Sequence, residues 1–207
     1  EKLSKYSWFN LGGPAKVFFK PKNISQITKF LKILKKDVPI KCLGAGSNTL
    51  IRDGGYNGAI IKLSPKFSFI KKEEKNILEV GAATLDKKLS SYAADNSLGG
   101  FEFLSCIPGS IGGAIIMNSG CYSNEISQIL ISIKVVDRSG NLKEINSEEI
   151  KFDYRGTNLP NDLIIISAKF RGFSSAKKKI EKKITEFLKK KKKTQPSQIK
   201  TCGSTFK

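Results

Sequence analysis

One stretch of this sequence, residues 99–120, constrains the fold more than any other. It holds six glycines among mostly apolar or small residues, and it contains neither Lys nor Arg although lysine is abundant on both sides. A glycine-rich loop lets its backbone approach a ligand closely with N–H groups free to donate, while apolar neighbours exclude water. Residues 108–114 are therefore a candidate cradle for a phosphate or a flat ring. A tight turn packed in a core explains one such loop equally well.

A second glycine-rich loop, Gly44-Ala45-Gly46-Ser47-Asn48-Thr49, follows a strand predicted at residues 40–43. It resembles the start of the Gly-x-Gly-x-x-Gly fingerprint, but the third glycine is replaced by Thr49. A turn and another strand follow instead of a helix, which excludes a Rossmann fold because no helix N-terminus could meet the pyrophosphate. A backbone nest with Ser47 and Asn48 as polar donors can still hold a pyrophosphate. A plain turn between two strands is the alternative.

The rest of the chain reads as short strands mixed with helices, the pattern of an α+β fold. Asn23 is predicted to cap an amphipathic helix inside a β-α-β unit, and Thr84 to cap a second helix that ends near residues 96–100. A lysine-dense helix is predicted from residue 175, with its lysines on a solvated face. Strands are predicted at residues 17–19, 40–43, 59–61, 77–80, 129–137, 142–145 and 163–170.

The positive charge of the chain does not by itself indicate a nucleic-acid partner. The net charge is +19, from 37 Lys and Arg against 18 Asp and Glu, and only four of these cations are arginines. Specific readers of bases and phosphates favour Arg over Lys. We therefore expect no nucleic-acid partner, and an anionic substrate accounts for the same charge.

The spacing of the cysteines, the absence of histidine and the hydropathy of the chain exclude several classes of site and segment. None of the four cysteines lies in a Cys-x-x-Cys spacing, so zinc and redox motifs are excluded and a reducing, cytoplasmic setting is expected. The absence of His excludes a His base, a His metal ligand and a Ser-His-Asp triad within these residues. No metal site is predicted, and no apolar run approaches the roughly 20 residues of a membrane span.

Five motifs occur together in an order that resembles the UDP-N-acetylenolpyruvoylglucosamine reductase family, flavoenzymes of bacterial peptidoglycan synthesis. They lie at residues 8–15, 43–48, 103–118, 154–155 and 203–207. The segment Lys-Thr-Gln-Pro before Gly203 resembles the shorter, type II branch. The resemblance implies a two-part FAD-binding fold of the PCMH/vanillyl-alcohol-oxidase type, followed by an incomplete α+β substrate-binding domain. Its implied boundaries are 1–65, 66–174 and 175–207, with the third part truncated at the C-terminus.

The resemblance also assigns residues to the cofactor. Backbone N–H groups of two loops are implied to hold the FAD diphosphate and the adjoining ribityl and ring portions. The residues are Gly44, Ala45, Gly46, Ser47 and Asn48 in the first loop and Pro108, Gly109, Ser110, Gly112 and Gly113 in the second.

The implied reaction reduces UDP-N-acetylglucosamine enolpyruvate to UDP-N-acetylmuramate with hydride from NADPH by way of FAD. Ser204 matches the proton donor of the family, and Arg155 would hold the substrate carboxylate and stabilise the enolate. The chain departs from the family at Arg155-Gly156-Thr157, where Arg-x-Ser is common. The catalytic Glu of the family matches no residue up to Lys207, so these 207 residues are expected to bind FAD without turnover.

The remaining expectations concern the setting of this activity. The resemblance implies a cytoplasmic, monomeric enzyme that acts on a UDP-sugar and contributes through peptidoglycan to cell shape, cell division and the cell cycle, with no membrane partner. Another flavin oxidoreductase of the same fold and a non-catalytic FAD-binding fragment are alternatives. A basic nucleic-acid-binding protein is a third, and salt-sensitive DNA binding without flavin colour would support it.

Overall fold

A computed structural model describes residues 1–195, which form two sheets, four α-helices and several short ladders. Within this range the helices and strands, numbered in chain order, are β1 (Ala15–Phe19), α1 (Ile24–Ile33), β2 (Ile40–Cys42), β3 (Tyr56–Ile61), β4 (Ile70–Glu74), β5 (Ile77–Gly81), α2 (Asp86–Asp95), β6 (Leu98–Gly99), α3 (Ile111–Ile116), β7 (Gly120–Cys121), β8 (Asn124–Glu125), β9 (Leu130–Val136), β10 (Leu142–Asn146), β11 (Phe152–Asp153), β12 (Gly156–Thr157), β13 (Ile164–Arg171), β14 (Phe173–Ser174) and α4 (Lys177–Thr194).

The first sheet is parallel, with strand order β1-β3-β2. The chain crosses from β1 to β2 through α1, so the predicted β-α-β unit is present, with β3 between its two strands. Asn23 caps α1 as predicted, because its side-chain oxygen accepts a hydrogen bond of 2.9 Å from the Gln26 N–H. Ile27 and Leu31 lie on the buried face of the helix, as the apolar periodicity predicts.

The second sheet is antiparallel, with strand order β10-β9-β13-β5-β4. Four of its five strands agree with the predicted ones to within a few residues, as does the turn at residues 138–141 that joins β9 to β10, whereas the edge strand β4 was not predicted. The two sheets share one apolar cluster, in which Ile27 and Leu31 of α1 pack with Val136 of β9 and with Ile164 and Ile166 of β13. The first two parts of the chain are therefore joined by a common core, and the boundary near residue 65 stays a prediction.

Thr84 does not cap the second helix, so this prediction was wrong. The N-cap of α2 is Leu85, and the Thr84 hydroxyl donates instead to the Phe69 carbonyl at 3.1 Å. The Thr84 carbonyl accepts a hydrogen bond from the Ile111 N–H at 2.9 Å, so the carbonyl and the hydroxyl of Thr84 are both bound to residues outside α2. The side chain consequently points away from the first turn of α2.

Residues 99–120 are less loop-like than the sequence predicts. A 3₁₀ helix at Glu102–Cys106 and the short helix α3 interrupt the stretch, and Gly112 and Gly113 lie in the first turn of α3 rather than in an open loop. Its large apolar side chains fill the main core of the molecule. The fully buried ones are Phe101, Phe103, Leu104, Ile111 and Ile115. The apolar residues of this stretch therefore pack in the core, which agrees with the alternative interpretation given above, a tight turn packed in a core.

The lysine-dense helix α4 packs against the second part of the chain through Ile180 and Phe187, which are buried. Its buried face contacts α2 and the 3₁₀ helix at Glu102–Cys106. Among residues 1–195, no helix combines the length and the apolar character that crossing a membrane requires.

Candidate functional site

The loop at residues 44–48 presents a row of free backbone donors. Within residues 1–195, the N–H groups of all five residues lack a hydrogen-bond partner. Gly46 adopts φ +74°, and a Cβ at this position would overlap the carbonyl oxygen of Tyr6. Only glycine therefore fits at the centre of this loop. The remaining residues are mostly at the surface, where their N–H groups can reach a ligand.

Two carbonyl groups of the same loop accept hydrogen bonds from the protein. The Gly46 carbonyl accepts a hydrogen bond of 2.9 Å from the Trp8 N–H, and the Gly44 carbonyl accepts one of 2.6 Å from Lys62 Nζ. Burial, reinforced by the neighbouring Lys20, lowers the pKa of Lys62. With these two acceptors satisfied by the protein, the loop can offer its unpaired N–H groups to a ligand.

An open groove of about 400 Å³ adjoins this loop, and it combines aromatic with cationic groups. Lys62 lies 5.6 Å from the centre of the Tyr6 ring, which stacks on Phe18. The groove is lined by Lys5, Tyr6, Ser7, Trp8, Asn10, Ala45 and Lys62. The N-terminal motif at residues 8–15 thus has a structural role beside the glycine loop that its sequence alone did not indicate.

The second loop uses most of its donors to fasten itself to the fold. Gly109 donates to the Ile107 carbonyl at 3.0 Å and Gly112 to the Ala82 carbonyl at 2.9 Å, while Pro108 has no N–H group. These residues therefore do not offer the free donors that the sequence predicts. Among the described residues, the N–H groups of Ser110 and Gly113 remain without a partner.

The fold brings the two glycine loops into contact. A Cβ on Gly44 would lie only 2.6 Å from the hydroxyl oxygen of Ser110. Adjoining segments thus contribute the unpaired N–H groups, which belong to residues 44–48, Ser110 and Gly113. Lys62 adds a positive charge next to the first loop, where it binds the Gly44 carbonyl. Such a set of donors suits a phosphate or a diphosphate, and the fold supplies it without a Rossmann helix.

A buried carboxyl group lies beneath the second loop, and the sequence analysis missed it. Asp86 is 0% exposed, and neither of its carboxyl oxygens has a hydrogen-bond partner within the described residues. A Cβ on Gly109 would lie 2.5 Å from Asp86 Oδ2, so the carboxyl group is pressed against the loop backbone. Burial raises the pKa of Asp86 to about 8. An Asp in the first turn of a helix ordinarily indicates an exposed, dipole-stabilised residue, which hides this role.

Arg155 lies at the tip of the hairpin formed by β11 and β12, in the left-handed region with φ +59°. Its Nη1 donates to the Gly120 carbonyl at 3.2 Å, and its guanidinium lies 5.4 Å from the centre of the Tyr154 ring. The hairpin is attached to the end of α3 by a hydrogen bond of 3.4 Å from the Thr157 hydroxyl to the Ile116 carbonyl. Arg155 therefore lies beside the end of the glycine-rich stretch, exposed to solvent. Ser204 lies outside the described residues.

Comparison with known proteins gives consistent results. A family model described as an FAD binding domain matches residues 15–146. UDP-N-acetylenolpyruvoylglucosamine reductase from Pelagibacter ubique is 46% identical over 205 residues, which cover 99% of this chain and 68% of the relative. The reductase of a Caulobacter species is 40% identical over 208 residues, which cover 100% of this chain and 68% of the relative. The crystal structure of the Thermus caldophilus reductase matches 100% of this chain and 73% of that chain with TM-score 0.87 and 29% identity.

Proposed function

Since this chain belongs to the UDP-N-acetylenolpyruvoylglucosamine reductase family, we propose that it binds FAD across its two glycine loops and reduces UDP-N-acetylglucosamine enolpyruvate in peptidoglycan synthesis. The observation that carries the proposal is the contact between Gly44 and Ser110, which joins two segments with unpaired N–H groups. Together with the matched FAD-binding domain, this arrangement supports a diphosphate cofactor at this place.

The residues that would hold FAD follow from the donor set. The N–H groups of residues 44–48 would bind the diphosphate, Ser110 and Gly113 would add donors from the second segment, and Lys62 would contribute positive charge. When bound, FAD supplies hydride transfer from NADPH to the enolpyruvyl carbon of the substrate. NADPH as the donor is part of the proposal and rests on the family resemblance.

Two side chains are assigned to the substrate. Arg155 is permanently charged, and within residues 1–195 its guanidinium forms no ion pair, so it is available to hold the substrate carboxylate and to stabilise the negative charge that develops there. Ser204 is assigned the transfer of a proton to the adjacent carbon. Because Gly156 and Thr157 follow Arg155, the contacts beside the carboxylate differ from those of the common Arg-x-Ser pattern.

The proposal extends to the setting and to the 207-residue chain itself. A catalytic Glu is assigned to no position among residues 1–207, so we propose that this chain binds FAD but does not turn over the substrate alone. We further propose a cytoplasmic monomer whose partner is a UDP-sugar rather than nucleic acid or membrane, acting in cell-wall synthesis and hence in cell shape, division and the cell cycle. The family resemblance supports these assignments.

An absorbance spectrum of the purified chain incubated with FAD tests the central claim. We expect flavin bands that persist after gel filtration, with the flavin released by heat denaturation. If the chain is folded by circular dichroism but shows no flavin absorbance after incubation with saturating FAD and gel filtration, the proposal is contradicted. For turnover, NADPH oxidation that depends on the enolpyruvyl substrate is measured in this chain and in the same chain extended by the C-terminal third of the Pelagibacter ubique relative. Only the extended protein is expected to be active.

A further inference from the structure

We propose that Asp86 is a positioning residue for FAD binding, and that its buried carboxyl group must be protonated for residues 108–113 to hold the flavin diphosphate. The inference rests on the proposed function and adds a residue that no sequence motif indicated. It also predicts a form of regulation, because the affinity for FAD becomes dependent on pH.

The geometry ties Asp86 directly to the loop. The Asp86 N–H donates to the Gly109 carbonyl at 3.1 Å, and the side chain turns back so that Oδ2 lies 2.5 Å from the position of a Cβ on Gly109. Two more backbone hydrogen bonds, from Ile111 to Thr84 and from Gly112 to Ala82, each 2.9 Å long, complete the fastening. Any movement of the carboxyl group toward water therefore has to displace the loop.

No charge compensates the carboxyl group in its surroundings. On α2, its neighbours Lys87 and Lys88 are exposed, and Ser90, one turn along, is buried but uncharged. Residues 107–116 and residues 82–85, which pack on the other sides, contain no titratable side chain. Burial is accordingly the only cause of the raised pKa of Asp86, at about 8, which makes the protonated form of the carboxyl group predominant at pH 7.

Ionisation would oppose FAD binding in two ways. A carboxylate without hydrogen bonds in a dry site has to gain water, which requires movement of Gly109 and of the segment that carries Ser110 and Gly113. A negative charge beneath this segment would also repel the diphosphate. The protonated state is therefore the state that is competent to bind.

The test is the dissociation constant for FAD, measured by flavin fluorescence or calorimetry from about pH 6.5 to about pH 9 in the wild type and in Asp86→Asn. If only the protonated form binds, the wild-type dissociation constant rises about tenfold at one pH unit above the pKa. Asp86→Asn is neutral throughout and is expected to show no such rise. Asp95→Asn, which removes an exposed carboxylate at the other end of α2, is the matched control and is expected to follow the wild type.

The outcomes separate this inference from the proposed function. A pH dependence lost only in Asp86→Asn supports the positioning role. Equal pH dependence in all three proteins, or none in the wild type, overturns it while FAD binding stands. A wild type that binds no FAD even at the lowest pH overturns the proposed function and this inference together. Circular dichroism at each pH verifies folding, and if Asp86→Asn does not fold, Asp86→Ala is judged by the same loss of pH dependence.

Discussion

The two glycine loops look alike in sequence, and the fold uses them in opposite ways. In residues 44–48, the carbonyls of Gly46 and Gly44 accept hydrogen bonds from Trp8 and Lys62, and every N–H group is unpaired within the described chain. Residues 108–113 turn donors inward instead, to Ala82 and Ile107, and rest on the buried carboxyl group of Asp86. Gly46 in the first loop is required by its left-handed backbone conformation as well as by the adjacent Tyr6 carbonyl, whereas Gly109 is required only by the space that the Asp86 side chain occupies.

This difference separates two contributions to a binding site. The first loop provides the donors themselves, so its conformation determines affinity directly. The second loop adds only the N–H groups of Ser110 and Gly113 to the site. In our proposal, its position depends on the protonation of Asp86, which contacts Gly109. The following variants test this division, beginning with the largest expected effect.

Changing Gly46 to Ala should damage the first loop most. The residue has φ +74°, and a Cβ would overlap the Tyr6 carbonyl, a backbone group that cannot turn away. We expect the free energy of unfolding to fall by about 4 kcal/mol and FAD uptake to be lost. Urea denaturation and the flavin content of the purified protein measure the two effects.

Gly54→Ala is the matched control, because nothing lies within 4 Å of a Cβ at Gly54 and its φ lies outside the left-handed region. This variant should keep both stability and flavin. If Gly46→Ala also retained its flavin, the donors of residues 44–48 could not be the principal contacts of the cofactor.

Changing Asp86 to Asn should stabilise the apoprotein at neutral pH. In the folded chain Asp86 keeps its proton up to a pKa of about 8, whereas the ordinary pKa of an Asp side chain is 3.8. Between these values the folded state binds more protons than the unfolded state, so stability decreases as pH rises, by at most about 1.4 kcal/mol per pH unit. From about pH 5 to about pH 7, the stability of Asp86→Asn relative to wild type should therefore increase by about 3 kcal/mol.

Urea denaturation of both proteins across this range measures the difference, and the contributions of all other titrating groups cancel in it. Asp95→Asn serves again as the control, since an exposed ion pair of this kind contributes less than about 1 kcal/mol. A stability difference between Asp86→Asn and wild type that does not change with pH would show that Asp86 is ionised in the folded protein.

Changing Gly109 to Ala should reveal the contact between the second loop and the carboxyl group. The new methyl group would lie 2.5 Å from Asp86 Oδ2, and a fully buried carboxyl group has little room to move. We expect a loss of about 2 kcal/mol in the wild-type background and a loss below about 0.5 kcal/mol in the Asp86→Ala background. A double-mutant cycle by urea denaturation measures this coupling, and additive losses would contradict it.

How much of this arrangement the sequence could predict depends on the range of the interactions. The cap at Asn23, most strands of the two sheets and the absence of a Rossmann helix follow from local patterns, and the structure confirms them, whereas the edge strand β4 was not predicted. Thr84 was predicted wrongly because its hydroxyl is bound to the Phe69 carbonyl, a partner distant in sequence, instead of to the first turn of α2. The order of the motifs identified the family, yet no local pattern shows that Gly112 donates to Ala82.

Long-range contacts limit the prediction of the site from sequence even more than the prediction of the fold. Both glycine loops were predicted as binding segments, but their contact through Gly44 and Ser110 depends on the packing of the two sheets. Asp86 and Lys62 were missed because each acts on a loop distant in sequence, Asp86 on Gly109 and Lys62 on Gly44. Composition and periodicity carry no information about such pairs.

Changing Lys62 to Met should give the smallest effect, confined to the first loop. The variant keeps the apolar stem of the side chain but loses the 2.6 Å hydrogen bond to the Gly44 carbonyl and one positive charge beside the donors. We expect the dissociation constant for FAD to rise about fivefold, equivalent to about 1 kcal/mol, with little change in stability. The salt dependence of FAD binding should weaken as well, because one cation near the diphosphate is removed.

Lys16→Met, which removes an exposed lysine of β1, separates this local effect from the loss of net charge. If both variants weaken FAD binding equally, the high overall charge of the chain attracts the cofactor and the orientation of the first loop does not depend on Lys62. If only Lys62→Met weakens it, the hydrogen bond to Gly44 is part of the site. In that case each glycine loop is held by one ionisable side chain. The cation of Lys62 binds the loop at residues 44–48, and the protonated carboxyl group of Asp86 packs against the loop at residues 108–113.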